Sequence, residues 1–516
     1  MPPLFKRTPA LNLVAYPGDA KTLLAWDLPE EQRRKNLAGF TIACRPPGKP
    51  EYFLYNRLQF AHPEQHAQDA SEPANSSVNA PLHKFRWLHV PGSAHQGLKP
   101  TMGLYAYTVT PRYFDSNGSL QALDPSLGAS VEVAVGGFAT STLRLAFTRG
   151  YAQSQAYVDH FGPKAVIVHP GTDLLYDTAE VAGKNKAGEQ FTYAQEYEWL
   201  GFTARESIFA LLDEVLADPA LRLDVFAYDL NEPDVMKKLL ELAKQGRVRV
   251  ILDDAALHHH NSKHDEAKPK PKVGKPKPED QFEELFKQQA KPPAAIQRGH
   301  FSRYSHDKVL VISDAGGAKK ALTGSTNFSV SGLYINSNHI LVFEDEKTAR
   351  QYGELFDQAW KDEVKTRPFL ASPLATARFS PAGVTPPREI TFSPHPKEVA
   401  TGLLDAIAAR IAKENTKGSA IGSVMFAVMG LKGSGAVLPA LNALHEQQDI
   451  FSYGVSDNPD GIALYVPGKS TGVLVTGTPT KTRLPPPFNQ VPSIGHYHQI
   501  HHKFIICGFN GDDPVV

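Results

Sequence analysis

Histidine and lysine two positions apart occur twice ahead of an apolar run, as His306 and Lys308 in RYSHDKVLVIS and as His501 and Lys503 in QIHHKFIICG. Residues i and i+2 of a strand project to one face, so each pair presents an imidazole and an ammonium together while the run behind anchors in a sheet. Imidazole changes charge near neutral pH, which suits it to nucleophilic attack or proton transfer. Two such pairs hold what cleavage of a phosphodiester requires: a nucleophile, a proton donor and positive charge on the non-bridging oxygens. Gly324 to Ser329 (GSTNFS) follows the first pair as a small-residue turn. Its backbone N–H groups, with Ser325 and Asn327, make an anion cradle.

Such motifs need a sheet to hold them. From about residue 140, Ile208, Leu211, Leu212, Val215 and Leu216 recur at helical spacing, followed by an apolar run from Leu223 to Tyr228. A second helix over Pro233 to Ala243 leads to Val248 to Leu252, and this order predicts an α/β sheet with parallel pairs. Glu346 to Asp362, with Tyr352, Leu355, Phe356 and Trp360 on one face, reads as a closing helix, and the Pro-rich Arg367 to Pro396 as a connection. The pattern then restarts with a helix over Glu398 to Lys413, a strand over Ser423 to Met429 and a helix over Ala436 to Glu446, which reads as an internal duplication of supersecondary structure. His264 to Pro293, which begins HDEAKPKPKVGKPKPEDQF, is a Lys/Pro-rich insertion and reads as a mobile surface loop. Residues 1 to 138 are different. Short β-rich runs (Thr22 to Trp26, Phe40 to Cys44, Phe85 to His89, Leu104 to Thr110, Val131 to Val135) alternate with Pro, Gly and Asn clusters and predict a sandwich, with the polar Ala61 to Asn79 as a long loop.

Two His-x-Lys motifs in an α/β setting, one followed by Gly-Ser-Thr-Asn-Phe-Ser, resemble the phospholipase D superfamily. Tyr105 and Tyr107, with the Asn117-Gly118 turn, resemble the late strand pair of fibronectin type III domains. The first resemblance implies an α/β fold of two phospholipase D-like halves, each a mixed sheet flanked by helices, over residues 139–380 and 381–516, preceded by a fibronectin-like β-sandwich over 1–138. It implies one metal-independent active site shared by the two motifs. It also implies that His306 is the nucleophile and His501 the acid, with Lys308 and Lys503 on the phosphate and Ser325 and Asn327 as added donors. The implied reaction is hydrolysis of a phosphodiester, foremost a phospholipid head group, through a phosphohistidine and with no cofactor. An endonuclease acting on DNA or RNA is one alternative, and a non-catalytic phosphate- or protein-binding module is another.

The chain departs from the family pattern in places. The acidic position seven residues after each motif histidine is Ser313 and Gly508, with Asp314 one place late. The carboxylate that often orients the histidine in that family falls near Asn338, an amide, so that orientation of His306 is expected to rest on Asn338 or another neighbour. A second Gly-Ser-x-Asn would lie past Val516, so the second half reads as incomplete, a C-terminal truncation. His496, His498, His501 and His502 cluster without an acidic or cysteine partner at metal-ligand spacing, which argues against zinc. His258 to His260 read as a solvated loop.

Lys plus Arg and Asp plus Glu both number 54 in 516 residues, so the net charge is zero. This excludes a disordered polyelectrolyte or a globally basic nucleic-acid coat. Cys44 and Cys507 are too few and too far apart for a disulfide framework. No signal peptide is legible at the N-terminus, and the most apolar stretch elsewhere, Ala420 to Leu431, is shorter than a bilayer span. A cytoplasmic protein follows as the expectation. Transient docking on a membrane surface is compatible with it, and the partner of the β-domain is unspecified.

Overall fold

Alternation of period two builds the N-terminal unit. In Ala129–Val135 every second residue is buried and the three between are exposed, as a half-buried strand requires. The computed structural model describes residues 3–29, 34–150, 155–260, 262, 276–302, 304–416, 422–444, 450–457, 473–476, 499–509 and 511–516. It divides into two units, Met1–Phe138 and Ala139–Val516. The first unit has two four-stranded sheets. One orders Leu4–Arg7, Asn12–Gly18, Lys21–Asp27 and Arg86–His89; the other orders Tyr52–Phe53, Leu37–Arg45, Gly103–Tyr113 and Ala129–Val135. All their pairings are antiparallel, and Leu13, Leu24 and Trp26 of one sheet share a core with Phe40, Ile42, Tyr107 and Val133 of the other.

The polar stretch before residue 80 is wired rather than merely solvated. Asn79 is buried. Its side-chain oxygen accepts from Asp69 N at 2.6 Å, and its amide donates to the carbonyls of Asp69, Glu72 and Pro73 at 2.9, 3.0 and 3.1 Å. Asn79→Ala removes all four partners at once, and is expected to destabilise this unit by about 1–3 kcal/mol. A lowered urea midpoint in equilibrium unfolding checks this.

The second unit is α/β. Its main sheet orders Ala295–Gly299, Val248–Asp253, Arg222–Ala227, Lys308–Asp314, Gly317–Gly324, His339–Phe343, Leu143–Phe147 and Phe138–Ala139. The first three strands run parallel, joined by the crossover helices Pro233–Lys244 and Pro278–Gln289. From Arg222–Ala227 through to Leu143–Phe147 the pairings are antiparallel. The helix Glu346–Lys361 starts at Asp345, whose side chain accepts from Thr348 N at 2.8 Å. It buries Tyr352, Leu355 and Phe356 against Phe226, Val309 and Val311.

Two expectations are corrected here. The segment from His264 to Pro293 is not one loop, because residues 278–289 form a helix. Pro278 stands in its first turn, where no N–H is required of it, and Phe282 and Phe286, four apart, are buried. Residues 263–275, with most of the Lys/Pro run, lie outside the described residues. The stretch from Arg367 to Pro396 is more than a connection, since Phe369, Leu374, Ile390 and Phe392 join the core around Phe356.

The second sheet orders Val473–Thr476, Ile450–Ser456, Gly422–Val428 and Lys503–Cys507. Three parallel strands are again followed by an antiparallel one that begins at the lysine of His-x-Lys. The two sheets thus repeat one plan. Among the described residues, no helix is long and apolar enough to cross a membrane.

Candidate active site

Each motif stands where the antiparallel strand enters its sheet. Lys308 pairs with Ala227, and Lys503 with Val428, each at the C-terminal end of a buried parallel strand. Asp253 braces the approach to the first motif, its Oδ1 accepting from Ser305 N at 2.7 Å and from Ser305 Oγ at 3.1 Å. The second motif is held by residues of the first half. Ser337 N donates to Gln499 O at 2.9 Å and His501 N to Ser337 O at 3.0 Å, while Gln499 N donates to Asn336 Oδ1 at 3.0 Å.

This docking brings the four motif residues together. The rings of His306 and His501 lie 6.2 Å apart, crossed at 68°. Lys308 Nζ donates to the carbonyl of His306 at 2.9 Å, and Lys503 Nζ to that of His501 at 2.6 Å. Each lysine thus curls back on its own motif in the same way. The ring of Tyr228 meets His306 edge-on at 4.4 Å and lies under Lys308 Nζ at 4.6 Å.

The two histidines differ in environment. His306 is exposed and His501 buried. His501 Nδ1 lies 2.9 Å from both Asn338 Oδ1 and Ser325 O. The Asn338 amide is oriented by its Nδ2 donating to Gly332 O at 2.7 Å. Both neighbours of Nδ1 are therefore acceptors, so Nδ1 carries the proton and Nε2 the lone pair. Burial, then the charges of Lys503 and Lys308, push the His501 imidazolium pKa down to about 3, and at neutral pH the ring is uncharged. Asn338 therefore serves His501 and not His306, which corrects the expectation from sequence.

Burial pushes Lys308 down to about 8, against the pull of Asp307, Asp229 and Asp253. Desolvation and the charge of Lys308 push Lys503 down to about 7. A lysine with lowered pKa loses its charge as pH rises through that value. Affinity for an anionic diester is therefore expected to weaken between pH 7 and 9. Because a bound anion restores the ammonium, kcat/KM measured across this range should fall more steeply than kcat.

Ser325 and Asn327 are both buried. The Ser325 hydroxyl accepts from His339 N at 3.1 Å and lies 3.2 Å from His339 Nδ1, so this residue acts on the site through its carbonyl. Asn327 Oδ1 has no hydrogen-bond partner among the described residues. Gly324 precedes them at φ +146°, where a Cβ would come within 2.4 Å of His339 O. Gly324→Ala is expected to part the strands there, move the Ser325 carbonyl off His501 and lower kcat about tenfold. Steady-state kinetics on the folded variant check this.

Ser313 and Gly508 hold no carboxylate, and Asp314 accepts from Gly316 N at 2.7 Å in a hairpin. His496 and His498 lie outside the described residues. Sequence reasoning missed Tyr228 and Asp253. Both stand at the C-terminal ends of parallel strands, where sites of α/β sheets form, and that position was the available signal. It also missed His339, whose Nδ1 lies 3.0 Å from that of His502, a residue noted in sequence only as one of a histidine cluster.

With this geometry in place, residues 214–360 match the family model described as "Cardiolipin synthase, PLD-like domain". This segment is a phospholipase D-like domain. No curated protein matches the chain. Among solved structures, polyphosphate kinase from Porphyromonas gingivalis aligns at 14% identity and TM-score 0.34, over 54% of this chain and 39% of that one. The phospholipase D family member Nuc from Salmonella typhimurium aligns at 18% identity and TM-score 0.22, over 30% and 86%. A mutant of yeast tyrosyl-DNA phosphodiesterase aligns at 9% identity and TM-score 0.24, over 47% and 59%. The chain thus spans under two thirds of the kinase and of the phosphodiesterase. The phospholipase D-like segment holds His306, Lys308, Ser325, Asn327 and Asn338, while His501 and Lys503 lie beyond it.

Proposed function

We propose that the chain is a phosphodiesterase in which two halves, residues 139–380 and 381–516, supply one active site. The supporting observation is the meeting of His306 and His501 at 6.2 Å, each beside the lysine of its own motif. His501, neutral and with its Nε2 lone pair available, attacks phosphorus. His306, open to the cleft, protonates the leaving alkoxide and then deprotonates water, which attacks the phosphohistidine and frees His501. Lys308 and Lys503 hold the non-bridging oxygens, with Asn327 as an added donor. These roles reverse those that the family resemblance implies.

The matched family carries the name of a lipid synthase, and a phospholipid head-group diester is the substrate we place first, met at a membrane surface from the cytoplasm. For the N-terminal unit we propose a fibronectin type III-like recognition role. Its support is the Tyr105 hydroxyl, which donates to Thr101 O at 2.5 Å in the manner of the tyrosine that closes such sandwiches. The test is head-group release from phospholipid vesicles in EDTA, beside cleavage of single-stranded DNA. Release of head group supports the lipid reading, and DNA cleavage alone moves the substrate to nucleic acid. Phosphate binding with neither activity overturns the enzyme in favour of a binding module.

A further inference from the structure

Three consecutive histidines, His258 to His260, follow the strand Val248–Asp253 and face the first turn of the helix Pro278–Gln289. They are not a solvated loop, because each is paired to a carboxylate. His258 Nδ1 lies 3.0 Å from Glu279 Oε1 and is buried. His259 Nδ1 makes a short hydrogen bond to Asp254 Oδ1, and His260 Nδ1 lies 2.8 Å from Asp280 Oδ2. His258 fixes the backbone. His259 and His260 are half-buried and open, with Asp280, onto a cleft of about 510 Å³ that Glu283 and Glu284 also line.

We propose that His259, His260 and Asp280 bind a divalent transition-metal ion of the zinc class. One ligand atom from each can be chosen so that all three lie within 4.8 Å of one another. Each histidine approaches one oxygen of the carboxylate. His259 Nε2 is 3.9 Å from Asp280 Oδ1, and His260 Nδ1 is 2.8 Å from Asp280 Oδ2. Bonds of about 2.0–2.1 Å place ligands about 3.3 Å apart. Asp254 already holds the Nδ1–H of His259, which leaves Nε2 as the donor, as a carboxylate behind a metal-binding histidine does. Asp280 is held in place by Lys277 N at 2.8 Å, by His260 N at 3.1 Å and by Arg298 at 3.0 Å. Among the described residues its Oδ1 bears the Arg298 bond alone and keeps a lone pair for the ion. Two imidazoles and one carboxylate favour zinc-class ions over magnesium or calcium, whose ligands are oxygens. On binding, the ion takes the place of the proton on His260 Nδ1 and the neutral ring passes to its Nε2–H tautomer, solvent taking the one proton and returning the other. Water completes the coordination sphere.

The test uses the full chain, stripped of metal, titrated calorimetrically with Zn(II) and, by absorption, with Co(II). One equivalent is expected, with a visible Co(II) band of tetrahedral intensity. His259→Gln/His260→Gln should weaken binding by more than about tenfold, while His501→Ala should leave it unchanged. His259→Ala/His260→Ala is the second variant, should the glutamines themselves ligate, and circular dichroism confirms that both fold. Loss of the equivalent in His501→Ala would move the ion to the catalytic cleft. That result, undiminished binding in both double variants, or no binding by the wild type, would overturn the proposal.

Discussion

Replacing His501 by alanine is expected to abolish phosphodiester cleavage, by about 10⁴-fold or more, and to abolish the covalent intermediate with it. His306→Ala should behave differently. The Nδ1 proton of His501 is fixed between Asn338 Oδ1 and Ser325 O, so only Nε2 is left to attack. With its pKa near 3, the ring is a neutral nucleophile throughout the physiological range and cannot serve there as the acid. A diester with a nitrophenolate leaving group needs no proton donor, so His306→Ala should still be attacked. Its phosphohistidine should then persist, because the base that activates water is gone. Incubation in EDTA, a quench in base and intact-mass analysis read the label, and peptide mapping places it. A label on His306 in the His501→Ala chain would sink the assignment, and so would a His306→Ala chain that never labels.

What the sequence displayed and what it hid divide along one line. Patterns complete within a segment were legible. Ile208, Leu211, Leu212 and Val215 mark the buried face of the helix Tyr193–Ala217, and the apolar run that starts at Leu223 is the buried strand Arg222–Ala227. Each His-x-Lys pair was expected on a strand, but only Lys308 and Lys503 lie in one, as its first residue, while His306 and His501 stand on the approach to it. Facts that arise between segments were not legible. The offset from the Gly-Ser-Thr-Asn turn located Asn338, but its partner is a histidine of the other half, which no local pattern states. Three successive histidines read as solvated until the helix across from them brings Glu279 and Asp280 to their rings. That helix was itself concealed, because the Lys/Pro alternation was extended over Pro278. The four-residue spacing of Phe282 and Phe286, behind acidic Glu279 and Asp280 in the first turn, was the local clue.

Asn338 is the position at which catalysis and orientation separate most sharply. Asn338→Leu removes the side-chain acceptor at His501 Nδ1 and the donor to Gly332 O, leaving the Ser325 carbonyl alone to hold the tautomer. A wrong tautomer costs a histidine nucleophile its lone pair at the reacting nitrogen, and kcat is expected to fall about 10²-fold or more. Because Lys308 and Lys503 are untouched, KM should change little. Asn338→Asp tests the same contact with opposite electrostatics. A carboxylate at this site stabilises the imidazolium, so the His501 pKa rises from about 3. The neutral, attacking form is then lost at a higher pH than in the wild type, and the acid limb of kcat/KM moves upward. Above that limb the aspartate still accepts the Nδ1 proton, and the rate should recover far beyond that of the leucine variant. A pH profile from 4 to 8 on the two variants separates an orienting role from a structural one. A merely structural Asn338 predicts equal losses in both and no movement of the limb.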